Sequence, residues 1–563
     1  MDRRTILALI LVVAVIFVTP RLFPGRPRVP KLTQDSITAV QQQEKTLASP
    51  GTRLASPVQS ESAQGTPAAS AQLGRAKLGG DTVTVQDVIA TYRFVSVGGV
   101  LQDANLTSYR SLRPADGSVR LRSPVSPLIR FQAVSGRDTL RFDEVPFSSP
   151  SESVRRAGEN VEFSGVIGTD SLALTYRVVP DSFLVRVTGR ATGRLTGEAG
   201  GYILLRFPPT LESNEADTVD DQRHLAFAVM PSHKDARGIA FGKLDPGERT
   251  IIPGPQAWAA LKSKYFLVAA LAQDTASPIV EFSAAGLPRT SRVATSAQGT
   301  VLLRAPAGQF SLDLYVGPQQ WRRLHSLGRG LENSNPYGGF LQPVVQPFAT
   351  VVLRVLLWMH EKLNMSYGWV LVVFGVAVRL VLWPLNQTAM RSSLKMQRIQ
   401  PELNDIQKRY KNDPPKLQSE MMRVYKEHGM SPFSMFSGCL PLLLPMPVLF
   451  ALFFVFQNTI EFRGVSFLWL RDISQKDPVY LLPIAMGLSM YVLTWIGSRN
   501  TPPNPQTKMM GYVFPFMMTF LLANLAAGLN LYYAVQNIAA LPQQWLIANE
   551  RARAAKGPSG AKK

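Results

Sequence analysis

From residue 366 to the C-terminus, apolar runs recur that are long enough to cross a bilayer, and no other feature of the chain limits its fold so strongly. A helix needs about 20 consecutive apolar residues to span the hydrocarbon core. Five stretches are candidate spans, at 366–385, 433–456, 479–497, 511–525 and 528–547, so the second half is expected to be a bundle of membrane helices.

The hydrophobic fraction of the whole chain, 46%, looks ordinary because it averages unlike halves. The start, "MDRRTILALILVVAVIFVTPRLFPG", sets Arg3 and Arg4 before an apolar run. With no small-x-small cleavage pattern after it, this run reads as an uncleaved anchor over 1–23 rather than a removed signal, and the chain beyond it is expected to be exported. Residues 24–80 are rich in Pro, Ser, Ala and Gln, too polar to offset the entropy of ordering, and read as a flexible linker. From 81 to 330 the pattern changes to short alternating runs such as "TVTVQDVIATYRFVSV", "SLALTYRVV" and "QFSLDLYVG", broken by Gly, Pro, Asn and Asp. Period-two alternation with regular turn signals predicts a large antiparallel β-sandwich.

Two further helical segments flank the first candidate span. Residues 339–363 are apolar around much of the circumference but carry Gln342, Gln346, Arg354, His360 and Glu361, which suits a helix lying in the membrane interface better than a span. Between 387 and 430, Met390, Leu394, Ile399, Leu403, Ile406 and Tyr410 recur at helical spacing. The "NDPP" tetrapeptide breaks the run, and Leu417, Met421, Val424 and Tyr425 resume it, the pattern of a helical hairpin with an apolar seam. The hairpin is basic through Arg391, Lys395, Arg398, Lys408, Arg409, Arg423 and Lys426, and the tail at 548–563 is basic as well. The positive-inside rule places both in the cytoplasm, which with the anchor gives six spans, cytoplasmic termini and a β-domain outside.

One residue breaks the apolar run "WVLVVFGVAVRLVLWPL". Arg379 sits about 15 Å along the helix from Trp369, near the middle of a core about 30 Å thick. A charge at that depth costs at least about 2.5–3.5 kcal/mol, so it is expected to face protein or water, the alternative being that it snorkels to the cytoplasmic headgroups past the break at Pro384. The five C-terminal spans hold no Asp, Glu or His to pair with it. Gly375, Arg379 and Asn386 share one helix face, and Asn530, Tyr533 and Asn537 share another on the last span. Together they are candidates to line a wet, positively charged cavity. Apolar flanks at Phe433, Met435, Phe450, Met486, Met517 and Met518 are candidates to receive an incoming hydrophobic segment.

Several classes of function are disfavoured. There is no phosphate-binding loop of the G-x-x-x-x-G-K-[ST] type and no G-x-S-x-G elbow. The five histidines are scattered, and the single cysteine, Cys439, excludes an intrachain disulfide. No catalytic residue, metal site or cofactor is expected. An ion-coupled transporter would be expected to carry intramembrane carboxylates and repeated broken helices. The net charge of +21 suits nucleic acid, anionic lipid or a ribosome surface without choosing among them.

With "VRLVLWPLNQTAMRSSLKMQRIQPELNDIQKRY", "EMMRVYKEHGMSPFSMFSGCLPLLLPMPVLFALF", "FLWLRDISQKDPVYLLPIAMG" and "GLNLYYAVQN" in this order, the chain resembles the bacterial YidC branch of the YidC/Oxa family of membrane protein insertases. The resemblance is strong from Tyr367 onward and looser in the β-domain. It implies an inner-membrane protein whose groove arginine is Arg379 and whose groove-lining tyrosine is Tyr533. The hairpin at 387–430 would recruit substrates and ribosome or signal-recognition partners, and the β-domain would contact Sec translocon components. Two departures, Pro445 and Gly375, stand where relatives carry polar residues and lower the expected polarity of the groove. The expected function is insertion and folding of nascent membrane proteins without covalent chemistry. The alternatives are a non-inserting assembly scaffold, a solute transporter, and an anchored carbohydrate-binding module.

Overall fold

The computed structural model describes residues 80–555, except for 114–116, 137, 197–200, 233–234, 274–277, 290–292, 336–341, 385–386, 388–398, 400–401, 429–445 and 499–504. The anchor expected over 1–23 and all but the last residue of the linker lie outside that set.

The alternating region forms two packed sheets. The smaller has five strands in the order Ser118–Leu121, Val100–Arg110, Thr91–Val95, Thr82–Gln86 and Val154–Arg156. The last of these runs parallel to its neighbour, a departure from the all-antiparallel expectation confined to a three-residue edge. The larger has thirteen strands. Its strand Asp170–Val179 shows why the sequence alternates: Leu172, Leu174, Tyr176 and Val178 point inward and are buried, while the residues between them face outward or are only partly covered. Across the layer, Phe94 of the smaller sheet packs its ring 4.7 Å from that of Tyr176, whose hydroxyl donates to the carbonyl of Gly99 at 2.6 Å. Strand Phe266–Ala272 is instead buried on both faces and reads as a continuous apolar run. It sits between Arg249–Lys262 and Gln309–Pro318. The second face of this region is covered by the segment after the last strand, where Trp258 Nε1 donates to the carbonyl of Arg329 at 3.1 Å. Two short helices decorate the domain, α1 (Thr218–Arg223), capped by Asp217 through the Asp220 backbone N–H, and α2 (Trp321–Ser326).

The helical region begins with α3 (Gln342–Leu363). One face, with Val345, Ala349, Val352, Leu353 and Leu356, is buried, and the other exposes Phe348, Val351, Val355 and Trp358. The axis then turns by 118° into α4 (Tyr367–Val381), so the two are not one straight span. The His360 and Tyr367 rings stack 3.9 Å apart across the turn. After the hairpin's first arm come α5 (Pro414–Glu427), α6 (Met446–Asn458), α7 (Leu481–Ser498), α8 (Pro505–Leu522) and α9 (Ala527–Ala555). Among the described residues, α7 is the one unbroken helix that is long and apolar enough to cross a membrane; α6 and α8 contribute shorter apolar stretches, 447–458 and 511–522. Glycines set the crossings. A Cβ on Gly528 would collide with the Phe456 ring, and one on Gly487 with the Thr519 hydroxyl, so the backbones approach closely, as small residues permit between membrane helices.

In the hairpin the two seams meet: Ile399, Leu403 and Ile406 pack against Met421, Val424 and Tyr425. The "NDPP" break is the start of α5, with Asp413 accepting the Lys416 backbone N–H and Pro414 at the first helical position, where its missing N–H leaves no donor unpaired.

The β-domain joins the helical region through the loop between α6 and α7. Arg463 reaches Glu215 with both side chains almost fully buried, and also donates to the carbonyls of Arg110 and Asn214. Tyr265 donates to the Ser474 hydroxyl at 3.1 Å. Asp477, fully buried, accepts the N–H groups of Val479 and Leu482 and so anchors the start of α7.

Candidate functional site

Arg379 lies on α4, four residues after Gly375 and on the same face. This face is laid against α9. A Cβ on Gly375 would sit 3.2 Å from Val535 Cγ1 and 3.5 Å from the Tyr532 carbonyl oxygen, so the glycine allows the two helices to cross closely. One turn further on, Arg379 Nη2 donates to Gln543 Oε1 at 2.9 Å. Gln543 is held in turn, its Nε2 donating to the carbonyl of Trp383 at 3.0 Å. Arg379 Nε is buried without a hydrogen-bond partner, and no carboxylate pairs with the guanidinium among the described residues. The charge is thus half-buried, oriented by a neutral amide, and not neutralised.

The side chains on the α9 face toward Arg379 are Tyr532, Gln536 and Gln543, spaced by four and seven residues, all of them buried. Tyr532 packs its ring 5.9 Å from that of Phe374 on α4. Gln536 and Gln543 are absent from the sequence-based set. Their signal was available, a glutamine stripe at helical spacing behind Tyr532, but a neutral amide in a span costs far less than a charge and stands out less.

The other expected groove residues on α9 face elsewhere. Asn530 is fully buried and donates to the Leu522 carbonyl at 3.0 Å, tying α9 to the end of α8. Asn537 donates to the Ser489 hydroxyl at 3.2 Å, tying α9 to α7. Tyr533 packs with Met486, Met518 and Leu522 in a second cluster between α7, α8 and α9. So the structure brings Gly375 and Arg379 together against one side of α9, and Tyr533, Met486 and Met518 together on its other side, the Tyr533 ring lying 5.8 Å from that of Tyr532.

Of the remaining candidates, Phe450 and Met517 are exposed on their helices. Asn386, Phe433, Met435, Arg391, Lys395 and Arg398, together with Cys439 and Pro445, lie outside the described residues. Lys408, Arg409 and Lys426 are exposed on the hairpin, and Arg423 pairs with Glu420 at 2.9 Å and Glu427 at 3.3 Å.

Comparison with known proteins covers both halves of the chain. A family described as the 60Kd inner membrane protein matches residues 358–554, and one described as the YidC periplasmic domain matches residues 82–351. A protein of Chlorobaculum tepidum named "Membrane protein insertase YidC" is 33% identical over 67% of this chain and 66% of its own length, just under two thirds. Proteins of the same name from Chlorobaculum parvum and Anaeromyxobacter dehalogenans are 31% and 30% identical, over 69% and 74% of this chain and 68% and 73% of their own lengths.

Proposed function

This chain belongs to the YidC family of membrane protein insertases, and from that premise we propose that it inserts newly made inner-membrane proteins and helps them fold, using Arg379 as a fixed positive charge in a hydrophilic groove. The observation that carries the reading is the Arg379–Gln543 contact: a half-buried guanidinium, aimed by an amide that leaves its charge intact.

A substrate's polar tail resists leaving water. A buried, uncompensated cation attracts an acidic residue or the carbonyls at a helix end, and in low dielectric that attraction is stronger than at a surface. The tail is then held part-way across while its apolar segment slides along exposed side chains such as Phe450 and Met517 into lipid. Partition of that segment drives release, and the membrane potential adds about 2.3 kcal/mol per charge per 100 mV for an acidic tail. In this reading the chain has six spans with both termini in the cytoplasm, and α3 lies in the membrane interface, supported by its single buried face and the 118° turn after it. The basic hairpin and tail engage ribosomes or the signal-recognition machinery, and the β-domain contacts Sec translocon components. The reaction makes no covalent bond.

The test uses purified protein in liposomes without nucleotide or another translocase. A single-span substrate with an acidic N-terminal tail is added, and its protease protection is scored. Protection above empty liposomes that falls in Arg379→Ala supports the reading. No gain over empty liposomes, with the protein correctly oriented, points instead to a scaffold that binds membrane proteins without moving their tails.

A further inference from the structure

Where the β-domain meets the ends of α6 and α9 there is a cavity of about 300 Å³ whose two sides differ in chemistry. The helices contribute an apolar patch, Phe453 and Phe456 from α6 and Leu525 and Leu529 from the turn into α9 and its first turn, beside the amides of Gln457 and Asn524. The opposite side is ionic, with Asp217, Asp220 and Arg223 from α1 and its cap, Lys264 from the β-domain and Lys476 from the loop before α7. These charges are not equally committed. Lys264 Nζ lies 2.8 Å from Asp220 Oδ2, so that pair cancels, and Asp217 is occupied as the helix cap. Arg223 and Lys476 are exposed and make no ion pair among the described residues. Three cations, Arg223, Lys264 and Lys476, against two carboxylates, Asp217 and Asp220, leave an excess of one positive charge. Phe456 and Leu529 in the lining are each 1% exposed.

We propose that this cavity binds the headgroup of an anionic phospholipid from the outer leaflet, with Arg223 and Lys476 on the phosphodiester and the first methylenes of the lipid against Phe453 and Leu525. The assignment rests on the reading that places the β-domain outside, because the junction then lies at the depth of the outer-leaflet phosphates. An amphiphile matches a site that sets an apolar patch beside free cations and amide donors, and the net charge selects an anionic headgroup over a zwitterionic one.

The full-length protein is reconstituted in phosphatidylcholine vesicles with equal minor fractions of phosphatidylglycerol and phosphatidylethanolamine, extracted gently, and weighed intact by native mass spectrometry. Wild type is expected to retain one phosphatidylglycerol in preference to phosphatidylethanolamine. Retention is expected to fall about fivefold in Arg223→Gln or Lys476→Gln and about thirtyfold in the double variant, the effect of one and two cations at a membrane surface. A Lys243→Gln, Arg249→Gln variant, which removes two exposed cations elsewhere on the β-domain, controls for net charge and is expected to match wild type. Equal retention in wild type and the double variant overturns the proposal. So does displacement of the lipid by soluble glycerophosphoglycerol at equal concentration, which would assign the site to a free phosphodiester. Because Arg223 and Lys476 are exposed and unpaired among the described residues, an unchanged melting temperature in pure phosphatidylcholine verifies the fold of the double variant. Insertion is scored on separate vesicles, and a failed lipid assignment leaves the insertase reading standing.

Discussion

Arg463 and Glu215 are separated by 248 residues and meet in a forked, buried ion pair, Arg463 Nε lying 2.8 Å from one carboxylate oxygen and 2.9 Å from the other. Arg463 also satisfies the Arg110 and Asn214 carbonyls and lies over the Phe266 ring, so one side chain from the helical region serves four partners in the β-domain. Breaking a buried pair from one side leaves the other charge stranded, at a cost of about 3–5 kcal/mol. Arg463→Ala is therefore expected to lower the melting temperature of the protein in nanodiscs, where a change below about 1 kcal/mol would mean the pair does not hold the junction.

The same junction is expected to weaken at alkaline pH. Burial pushes the Glu461 carboxyl, in the same loop, up to about 7. A raised carboxyl binds its proton more tightly in the folded than in the unfolded protein. Its contribution is thus full below the unfolded value and is lost as pH rises through about 7, worth about 3 kcal/mol for a shift of this size. Denaturant titrations at pH 5 and pH 8 are expected to show wild type less stable at pH 8, with part of that loss abolished in Glu461→Gln. An identical loss in the variant would remove Glu461 from the account.

Gln543 offers the sharper probe of the groove charge. Gln543→Glu keeps the shape but sets a carboxylate where Arg379 now meets an amide 2.9 Å away. Insertion of an acidic-tailed substrate is expected to drop at least about tenfold, the factor that corresponds to 1.4 kcal/mol. Arg379→Lys is expected to keep partial insertion and Arg379→Glu none. Full activity in Gln543→Glu or Arg379→Glu would rule out an electrostatic role for the arginine.

Gly375 is expected to tolerate alanine and reject leucine. A Cβ there lies 3.2 Å from Val535 Cγ1, a contact that a shift of a few tenths of an ångström relieves, whereas a branched side chain would wedge α4 from α9 at a cost of about 1–3 kcal/mol. Comparing the melting temperatures of Gly375→Ala and Gly375→Leu checks this. If leucine were as stable as alanine, the close crossing would not be under constraint.

What could be read in the sequence was what carries a large local cost or a strict period. Arg379 stood out because a charge in an apolar run is expensive, and the strand Asp170–Val179 because its inward residues alternate without a break. The hairpin seam was legible for the same reason, from Ile399 to Tyr425. The facing of α9 was not. Tyr532 and Tyr533 are neighbours about 100° apart around the helix, and only packing against α4 on one side and α7 on the other decides which of them looks toward Arg379. The Arg463–Glu215 pair was also hidden, because each residue sits in an irregular segment with no period and the two are joined only by tertiary structure.

The last helix has a mechanical consequence. With 29 residues α9 is about 43 Å long, some 13 Å more than the thickness of a hydrocarbon core of about 30 Å. From Gln543 to Ala555 it continues as one rod of about 18 Å, so the end that carries Arg551 and Arg553 is geared directly to the contact that aims Arg379. A load placed on that end is transmitted along a stiff axle rather than dissipated in a loop, and any rotation of the axle turns Gln543 away from the arginine it holds.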